Sequence, residues 1–493
     1  MSDKGEGRTG APAATTVLGD FQMYVDGAFV DAADGGLLDI VDPATEQVVA
    51  RVANGGLADA EAAVKAARRA FDEGPWPRLS AHDRAELLRA AAARLRQRVD
   101  ELARWETLEM GKLVADGRGD ILRVADLLEY AGGLAERFLG EQPITEPTAL
   151  VREPVGVVVG VCPWNFPLVL AGFKFASALA AGNTVIIKPA SISPLTAIGM
   201  AQVFHEVGLP QGVFQVVIGP GRTVGDYLAT TPLVDMVTLT GSVEVGRQIM
   251  EKAAQTIKKV GLELGGKAPN CVFADADQGA ALEGVLFSAF GNCGQACCAG
   301  SRLLVERSVH DAFVAELVRR VEALRVGPGL DPASQMGPLS SAEQLATVER
   351  YVALGKQEGA TLACGGARVG DVGFFYEPTV FTGVDNAMRI AQVEIFGPVL
   401  VVIPFDTEDE AIRIANDTVF GLTAGVWTSD PQRARRYVRA VRAGTVFVNN
   451  TWACAPLGLP WGGYKQSGIG REIGDVGIEE FTELKAVIWA GAS

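Results

Sequence analysis

Histidine is scarce in this chain of 493 residues, which contains only three copies. They are His82, His205 and His310, and no two of them have the spacing of metal ligands. A Cys-His or Ser-His-Asp arrangement therefore has few possible bases. We expect no metal site, and we expect any acid–base chemistry to depend on carboxylates.

Basic residues and long apolar runs are also lacking. The 44 Lys and Arg residues face 59 Asp and Glu residues, which gives a formal net charge of -15. A surface of that sign repels nucleic acid and anionic lipid, so neither is an expected partner. No run approaches the roughly 18 apolar residues that cross a membrane, and the first segment lacks the apolar stretch of a secretory signal. We expect a cytoplasmic protein that acts on a small molecule.

Cysteine is sparse, with seven copies, and an odd number without a signal favours reduced thiols. Three of them, Cys293, Cys297 and Cys298, fall in the segment NCGQACCAG. Zinc needs three or four thiolate or imidazole ligands, and adjacent cysteines rarely bind the same ion. Packing and a nucleophilic role remain. The small residues around Cys297 leave room for a substrate, and Glu263, flanked by leucines, is the best candidate base because apolar surroundings raise the pKa of a carboxylate.

The organisation of the chain changes near residue 140. Helical periodicity covers residues 57–140, and after it short apolar strands alternate with helices, a pattern typical of parallel sheets covered on both faces. A second series of alternating strands and helices begins at APNCVFADAD. The terminal FTELKAVIWA alternates like a strand but has no partner nearby in sequence. We expect it to join another sheet, either in the same subunit or in another one.

The usual dinucleotide fingerprint, G-x-G-x-x-G between a strand and a helix, is absent. Two other strand-to-helix junctions could receive a phosphate at a helix N-terminus. They are TLTGSVEVGRQI, with Gly241, Ser242 and Gly246, and VIGPGRTVGDYL, with Gly221 and Gly225. Lys188 ends the apolar strand of VIIKPASISP, and open α/β sheets bind ligands at that end of their strands. A simple turn or a solvated lysine would explain each of these features singly.

Several motifs, taken in order, resemble those of the aldehyde dehydrogenase superfamily from residue 20 to residue 490. The cysteine signature F-x-N-x-G-Q-x-C-x-A-x-x-R is matched by Phe290, Asn292, Gly294, Gln295, Cys297, Ala299 and Arg302. The glutamate signature LELGGK spans residues 262–267. The further motifs are PWNFP, KPA, TGSVEVG, EIFGP and PWGGYKQSGIGRE, the last of which also resembles betaine- and aminoaldehyde-oxidising members.

The resemblance implies an α/β fold with two Rossmann-like parallel-sheet domains and a small β oligomerisation arm. The expected parts are a disordered tail at 1–20, a dinucleotide-binding domain at 21–134 and 155–264, a catalytic domain at 265–465, and the arm at 135–154 and 466–493. The arm accounts for the terminal strand. It implies a homodimer or a homotetramer.

The reaction implied by the resemblance is non-acylating oxidation of an aldehyde to the carboxylic acid with NAD or NADP. Cys297 would attack the carbonyl, while Asn165 and a backbone N–H stabilise the oxyanion of the thiohemiacetal. After hydride passes to the nicotinamide, Glu263 would activate water to hydrolyse the thioester. Lys174 and Asp475 resemble a pair that relays protons from Glu263.

The resemblance also implies cofactor-binding residues. They are Trp164, Lys188, Ser191, Gly221, Gly225, Gly241, Ser242, Gly246, Glu394 and Phe396. Relatives that are specific for NAD often carry glutamate three residues after the lysine that corresponds to Lys188, where this chain has Ser191. Serine does not repel a 2′-phosphate, so we predict that NADP is tolerated.

The substrate tunnel implied by the resemblance is lined by Phe166, Leu170, Phe173, Trp452 and Trp461. An apolar and aromatic tunnel favours a hydrophobic or aromatic aldehyde. The alternatives are a betaine aldehyde, an aminoaldehyde or a semialdehyde, because aromatic boxes hold cations. A CoA-acylating relative would lack Glu263, and a catalytically silent structural protein would have lost the thiol, the amide or the base. The sequence does not single out one aldehyde.

Overall fold

The computed structural model describes residues 17–145, 148–452 and 455–490, and its strands form four sheets within those ranges. The strands are β1 (Gly19–Phe21), β2 (Met23–Val25), β3 (Ala28–Val30), β4 (Leu37–Asp42), β5 (Gln47–Ala53), β6 (Gly140–Thr145), β7 (Thr148–Pro154), β8 (Val157–Val161), β9 (Thr184–Lys188), β10 (Phe214–Val216), β11 (Met236–Thr240), β12 (Lys259–Glu263), β13 (Pro269–Val272), β14 (Arg302–Glu306), β15 (Thr361–Cys364), β16 (Thr379–Thr382), β17 (Val399–Phe405), β18 (Thr423–Trp427), β19 (Thr445–Val448), β20 (Gly468–Ile469) and β21 (Thr482–Ile488).

Helices connect and cover these strands. They are α1 (Leu57–Asp72), α2 (Ala81–Gln97), α3 (Val99–Met110), α4 (Val114–Phe138), α5 (Pro167–Ala181), α6 (Leu195–Glu206), α7 (Asp226–Thr230), α8 (Val243–Ala253), α9 (Gln278–Phe290), α10 (Arg307–Glu322), α11 (Ala342–Gln357), α12 (Arg389–Gln392), α13 (Glu408–Asn416), α14 (Pro431–Ala440) and α15 (Gly474–Glu480). The helical block predicted for residues 57–140 is confirmed as α1 to α4.

The first large sheet has the strand order β20-β12-β11-β8-β9-β10-β2-β3. Strands β8 to β12 are parallel, and β8, β9 and β11 are almost wholly buried, as expected of a sheet covered on both faces. The chain order reverses between β8 and β11. A crevice opens at such a reversal, outside the carboxyl ends of the strands, and ligands bind there in open α/β sheets.

Helix α5 shows how tightly this sheet is covered. All of its residues are buried, as expected of a helix that is apolar on every side. Gly160 of β8 lets it approach, since a Cβ at that position would lie 3.2 Å from Lys174 Cβ on α5. The close crossing fixes Lys174 beneath the carboxyl end of the sheet.

The second large sheet has the order β15-β16-β17-β14-β13-β18-β19 and is parallel except where β15 pairs with β16. The two parallel sheets confirm the predicted α/β class. A further sheet joins β21, β7 and β6 in antiparallel register, from Thr482 opposite Pro154 to Ile488 opposite Thr148. The predicted terminal strand is therefore present, and β7 of the same chain is its partner.

The predicted boundaries differ from the structure in three places. Residues 1–16 of the predicted tail lie outside the described residues, but Gly19 and Asp20 pair with β5 and so belong to a strand. Residues 135–138 continue α4, so the three-stranded sheet starts at Gly140. Strand β20, assigned to the arm, pairs with β12 and extends the first large sheet instead. In each place a long-range pairing or a helix end decides the boundary, and local composition does not reveal either.

No helix among the described residues combines the length and the apolar character that a membrane crossing requires.

Candidate active site

Residues that were predicted to form the site lie at the carboxyl ends of four adjacent strands. Strand β9 ends at Lys188 and β12 ends at Glu263, whereas Asn165 follows β8 and Ser242 follows β11. Because β12, β11, β8 and β9 are neighbours in the sheet, these residues share one edge. That edge is the ligand-binding side of an open parallel sheet.

The loop before Cys297 is sharply turned. Asn292 and Cys293 have φ values of 52° and 57°, and Gly294 follows at 67°, so three successive residues are left-handed. Backbone strain of this kind persists only where the surroundings hold it, and it is concentrated at functional sites. Gly266 lets its own segment pack closely against this loop, because a Cβ at position 266 would collide with the Cys297 carbonyl oxygen. The LELGGK motif and the cysteine motif are thus packed backbone against backbone.

Asn165 is held beside this loop by its side-chain amide. It is 2 % exposed, and its Nδ2 donates to the Gln295 carbonyl at 2.9 Å. The Nδ2 of Asn292 donates to the Asn165 carbonyl at 3.0 Å, which fixes the backbone as well. An amide nitrogen carries two N–H groups, so the second one remains for a ligand near Cys297.

Among the three cysteines of this segment, Cys297 has the accessible thiol. It is partly exposed, whereas Cys293 and Cys298 are buried. A hydrogen bond with the Cys298 thiol raises the pKa of Cys297 well above its ordinary value, and burial and the charge of Glu394 add to that increase. The resting group is therefore the thiol, and it needs a base or a nearby positive charge to become the nucleophile.

Glu263 is a buried carboxyl group without a hydrogen-bond partner. It is 4 % exposed, and neither of its carboxyl oxygens is hydrogen-bonded to another described residue. Burial raises its pKa well above the ordinary value, and the charge of Glu472 raises it further, against the opposing charges of Lys174 and Arg471. The raised pKa predicted from the flanking leucines is confirmed. Such a group suits a general base that acts near neutral pH.

Lys174 is paired with Glu472, and the predicted pairing with Asp475 is wrong. The Nζ of Lys174 donates to Glu472 Oε1 and to Thr240 Oγ1, each at 2.7 Å. Asp475 lies on the exposed side of α15 and accepts a hydrogen bond from Tyr130 at 3.3 Å. The chain turns through left-handed residues at 473 and 474, which directs the two carboxylates to opposite sides.

Lys188 and Gly225, both predicted to bind the cofactor, lie close together. The Nζ of Lys188 has a long contact of 3.4 Å with the Pro189 carbonyl, and burial lowers its pKa. A Cβ at Gly225 would lie 3.7 Å from Lys188 Cε, so the turn at Gly221–Gly225 borders the ammonium group. Ser191 lies partly exposed in the turn after Lys188. The buried ammonium group of Lys188 has this one long contact and lies beside two turns. It fits ribose hydroxyls or a phosphate.

Helix α8 starts at the same edge. The hydroxyl of Ser242, which follows Gly241, accepts the Val245 N–H at 3.3 Å and caps the helix, whose remaining first-turn N–H groups favour an anion. Gly246, predicted to lie near the cofactor, is in the first turn of the same helix. A Cβ there would lie 2.8 Å from Leu264, so this glycine lets α8 pack against the LELGGK segment.

Glu394 and Phe396 reach the edge from the second sheet. Glu394 Oε1 accepts the Gly266 N–H at 2.9 Å, and burial raises the pKa of Glu394 to about 7. Phe396 has a left-handed φ of 59°, and its ring meets Trp164 edge to face at 5.2 Å. Glu394 therefore contacts the segment that follows β12, where Gly265 has no side chain to collide with the Glu394 carboxylate. This arrangement fits a dinucleotide.

Aromatic rings surround the small residues next to the thiol. Phe166, Trp452 and Trp461 pack against Ala296, Cys298 and Ala299. The rings of Phe166 and Trp452 are 6.1 Å apart. Leu170 and Phe173, also predicted to line the tunnel, are buried within the core of the first sheet. Phe287, which the sequence analysis missed, lies 4.7 Å from Trp452.

The family model of the aldehyde dehydrogenase family matches residues 29–487. The chain belongs to the aldehyde dehydrogenase family. The resemblance inferred from the motifs is thereby confirmed.

Relatives of this aldehyde dehydrogenase include betaine aldehyde dehydrogenases. That of Bacillus subtilis is 45% identical over 473 residues, which cover 94% of this chain and 96% of the relative. The structure of Staphylococcus aureus betaine aldehyde dehydrogenase in complex with NAD+ is 41% identical, with a TM-score of 0.92 and coverage of 94% of each chain. An NAD-dependent aldehyde dehydrogenase from Sinorhizobium meliloti is 44% identical, with a TM-score of 0.93 and coverage of 95% and 94%.

Besides Phe287, two further residues of the aldehyde dehydrogenase site were not predicted from the sequence. Glu472 closes the motif PWGGYKQSGIGRE, so its signal was present in a segment already recognised. Lys112 had no such signal. Its Nζ lies 4.4 Å above the ring of Phe166 and forms salt bridges with Glu106, at 2.6 Å, and with Asp120. This buried cluster supports the ring that follows Asn165.

The Lys112 cluster gives a prediction about stability. Lys112→Met should lower the free energy of unfolding by about 3–5 kcal/mol, because it leaves a buried carboxylate without its cation. Urea denaturation followed by circular dichroism measures the change. The control is Lys65→Met, which removes an exposed pair with Glu61 at 3.3 Å and should change the free energy by less than about 0.5 kcal/mol. Equal changes in the free energy of unfolding of both variants would show that the buried cluster stabilises the fold no more than an exposed ion pair does.

Proposed function

We propose that this enzyme oxidises a small aldehyde bearing an ammonium group, with betaine aldehyde as the best candidate, using NAD+ or NADP+. The preference for a hydrophobic or aromatic aldehyde drawn from the sequence is not supported. Relatives that are 45% and 44% identical are betaine aldehyde dehydrogenases. The alternative reading of the same motifs is the better one.

The aromatic cluster beside the thiol is the observation that supports a cationic substrate. A quaternary ammonium group is attracted to the face of an aromatic ring, and tryptophan gives the strongest attraction. Trp452 and Trp461 stand in this cluster, whereas Phe173 is part of the core. A cation already lies over Phe166, so we assign recognition of the substrate to the two tryptophans.

In the first chemical step, the Cys297 thiol gives its proton to water, and the sulfur bonds to the aldehyde carbon as the carbonyl double bond opens to an oxyanion. The free N–H of Asn165 and a backbone N–H then stabilise the oxyanion, at about 3–4 kcal/mol for each donor. When bound, NAD+ or NADP+ accepts the hydride from that carbon. Lys188 and Glu394 would hold the dinucleotide, and a thioester remains on Cys297.

In the second step, Glu263 takes a proton from water, whose oxygen bonds to the thioester carbon. Its raised pKa keeps the carboxylate basic enough for this task. The pair of Lys174 and Glu472 stands behind Glu263 and receives the proton in turn. Release of the carboxylic acid regenerates Cys297.

A substrate pair tests the proposal. Betaine aldehyde and its neutral isostere 3,3-dimethylbutanal differ in a charged nitrogen against a carbon, so shape and aldehyde are matched. We expect kcat/KM to be about 2- to 30-fold higher for betaine aldehyde, since a cation–π contact contributes about 0.5–2 kcal/mol. Absorbance of the reduced nicotinamide measures both rates. A preference for the neutral isostere, or for benzaldehyde, would favour the hydrophobic reading instead.

Cofactor choice follows from Ser191. We expect the enzyme to accept NADP+, and we expect Ser191→Glu to lower its kcat/KM for NADP+ by at least about tenfold, since the new carboxylate repels a 2′-phosphate. The values for NAD+ serve as the internal control and should stay within about threefold. Comparable kinetics with the two cofactors in the variant would contradict the assignment of Ser191.

We also propose that the three-stranded sheet joins copies of this chain into a homodimer or a homotetramer. Leu484 and Ile488 on β21, and Trp489 after it, are exposed by 58%, 79% and 57%. Apolar side chains grouped on an open sheet are typical of an interface. The arm predicted from the sequence would then be the element that assembles the enzyme.

A further inference from the structure

A small cavity borders Glu263, the proposed catalytic base. Its volume is about 10 Å³, close to the least that holds one water molecule. Thr238, Glu263, Arg471, Glu472 and Glu480 contribute to its lining. Three glutamates thus border one space, and only two of them belong to the mechanism described above.

The buried carboxyl oxygens at this cavity lack donors. Both oxygens of Glu263 and Oε2 of Glu472 are buried without a hydrogen-bond partner among the described residues. The other oxygen of Glu472 accepts from Lys174 and, at 3.0 Å, from the Thr238 hydroxyl. Buried polar atoms are normally hydrogen-bonded, to water where protein donors are missing. A water molecule in the cavity would satisfy these oxygens and connect the two carboxyl groups.

Glu480 stands at the outer side of the same cavity. It is the last residue of α15 and is partly exposed, so its carboxyl group borders both the cavity and solvent. Gly470, with φ of 85°, leaves the approach open, because a Cβ there would lie 3.4 Å from the Glu480 carboxyl carbon. No side chain therefore separates this carboxyl group from the backbone beside Arg471 and Glu472.

We propose that Glu480 is the solvent-side end of a proton path that leads from Glu263 through Glu472 and a cavity water. This inference rests on the proposed function. In each hydrolysis the water oxygen bonds to the acyl carbon, its proton goes to Glu263, and the carbon–sulfur bond breaks to release the acid. The proton passes to Glu472 and then to Glu480, which gives it to solvent. Lys174 and Arg471 are the cations that face this path.

The variant Glu480→Gln tests the path, because glutamine keeps the shape but cannot carry the proton. The first turnover, seen as a burst of reduced nicotinamide, should be unchanged. Steady-state turnover should fall about tenfold or more, with a larger solvent deuterium isotope effect, and added formate should restore it. Glu480→Asp keeps a carboxyl group, so its steady-state turnover should not depend on added formate. Glu479→Gln is the matched control, since this neighbour is exposed and outside the cavity lining, and it should behave as the wild type.

Two results would overturn the proposal. One is wild-type turnover in Glu480→Gln without any dependence on formate. The other is reduced turnover that formate does not restore, which indicates a merely structural role. If Glu480→Gln fails to fold, Glu480→Ala enters the same assay. Failure of the proposed function is distinguishable, because the wild-type enzyme itself would then give no burst with the aldehyde.

Discussion

Replacing Cys297 by serine is expected to lower kcat for aldehyde oxidation by at least about 10,000-fold, as the loss of an enzyme nucleophile does. The serine hydroxyl is a far weaker nucleophile at neutral pH, and the neighbouring groups cannot replace the missing sulfur. Asn165 and Glu263 would remain in place, so folding and cofactor binding should persist. Steady-state formation of reduced nicotinamide measures the loss.

Cys298→Ala is the control for this variant. It removes a buried neighbour whose thiol hydrogen bond raises the pKa of Cys297. The pKa of Cys297 should fall, so the rate of the first turnover should reach its plateau at a lower pH than in the wild type. Full turnover in Cys297→Ser, or a loss of activity confined to Cys298→Ala, would assign the nucleophile to another residue.

Glu263→Gln should separate the two halves of the reaction. Attack and hydride transfer need Cys297 and Asn165, so one equivalent of reduced nicotinamide should appear in a burst. Hydrolysis of the thioester should slow by about 100- to 10,000-fold, because no carboxylate activates the water. Rapid mixing measures the burst amplitude against the concentration of active sites, and steady-state absorbance measures the slow phase.

The pH dependence of hydrolysis follows from the same residue. A general base works in its deprotonated form, and burial raises the pKa of Glu263 well above that of an ordinary carboxyl group. Hydrolysis in the wild type should therefore decline as the pH falls through this raised pKa. The decline should be absent from the slow phase of Glu263→Gln. An identical pH profile in both proteins, or a variant without a burst, would remove Glu263 from the role of base.

The sequence predicted those parts of the site whose residues belong to short, local motifs. Cys297 with its glycine-rich loop, Glu263 between leucines and Lys188 at a strand end are readable because strand ends and local apolar patterns position them. Pairings across long stretches of chain were not readable. The motif resemblance predicted Asp475 as the partner of Lys174, but the turn at Ile473, with φ of 53°, presents Glu472 instead.

Two other site residues have neighbours that their local motifs do not reveal. Gly246, predicted to lie near a phosphate, also packs against Leu264. Phe173, predicted to line the tunnel, lies on α5, all of whose residues are buried. The cavity at Glu480 forms where β11, β12 and the segment after β20 meet. No single segment carries a signal for a space that several segments enclose.

The central claim is that the acyl group of the substrate is carried by the sulfur of Cys297. The most direct measurement is mass spectrometry of peptides from Glu263→Gln, quenched in acid after mixing with betaine aldehyde and NAD+. The account predicts that the peptide containing Cys297 gains the mass of the acyl group in nearly every subunit, and that Cys297→Ser abolishes the gain. An acyl group on a different residue, or unmodified peptide after a full burst, would contradict it.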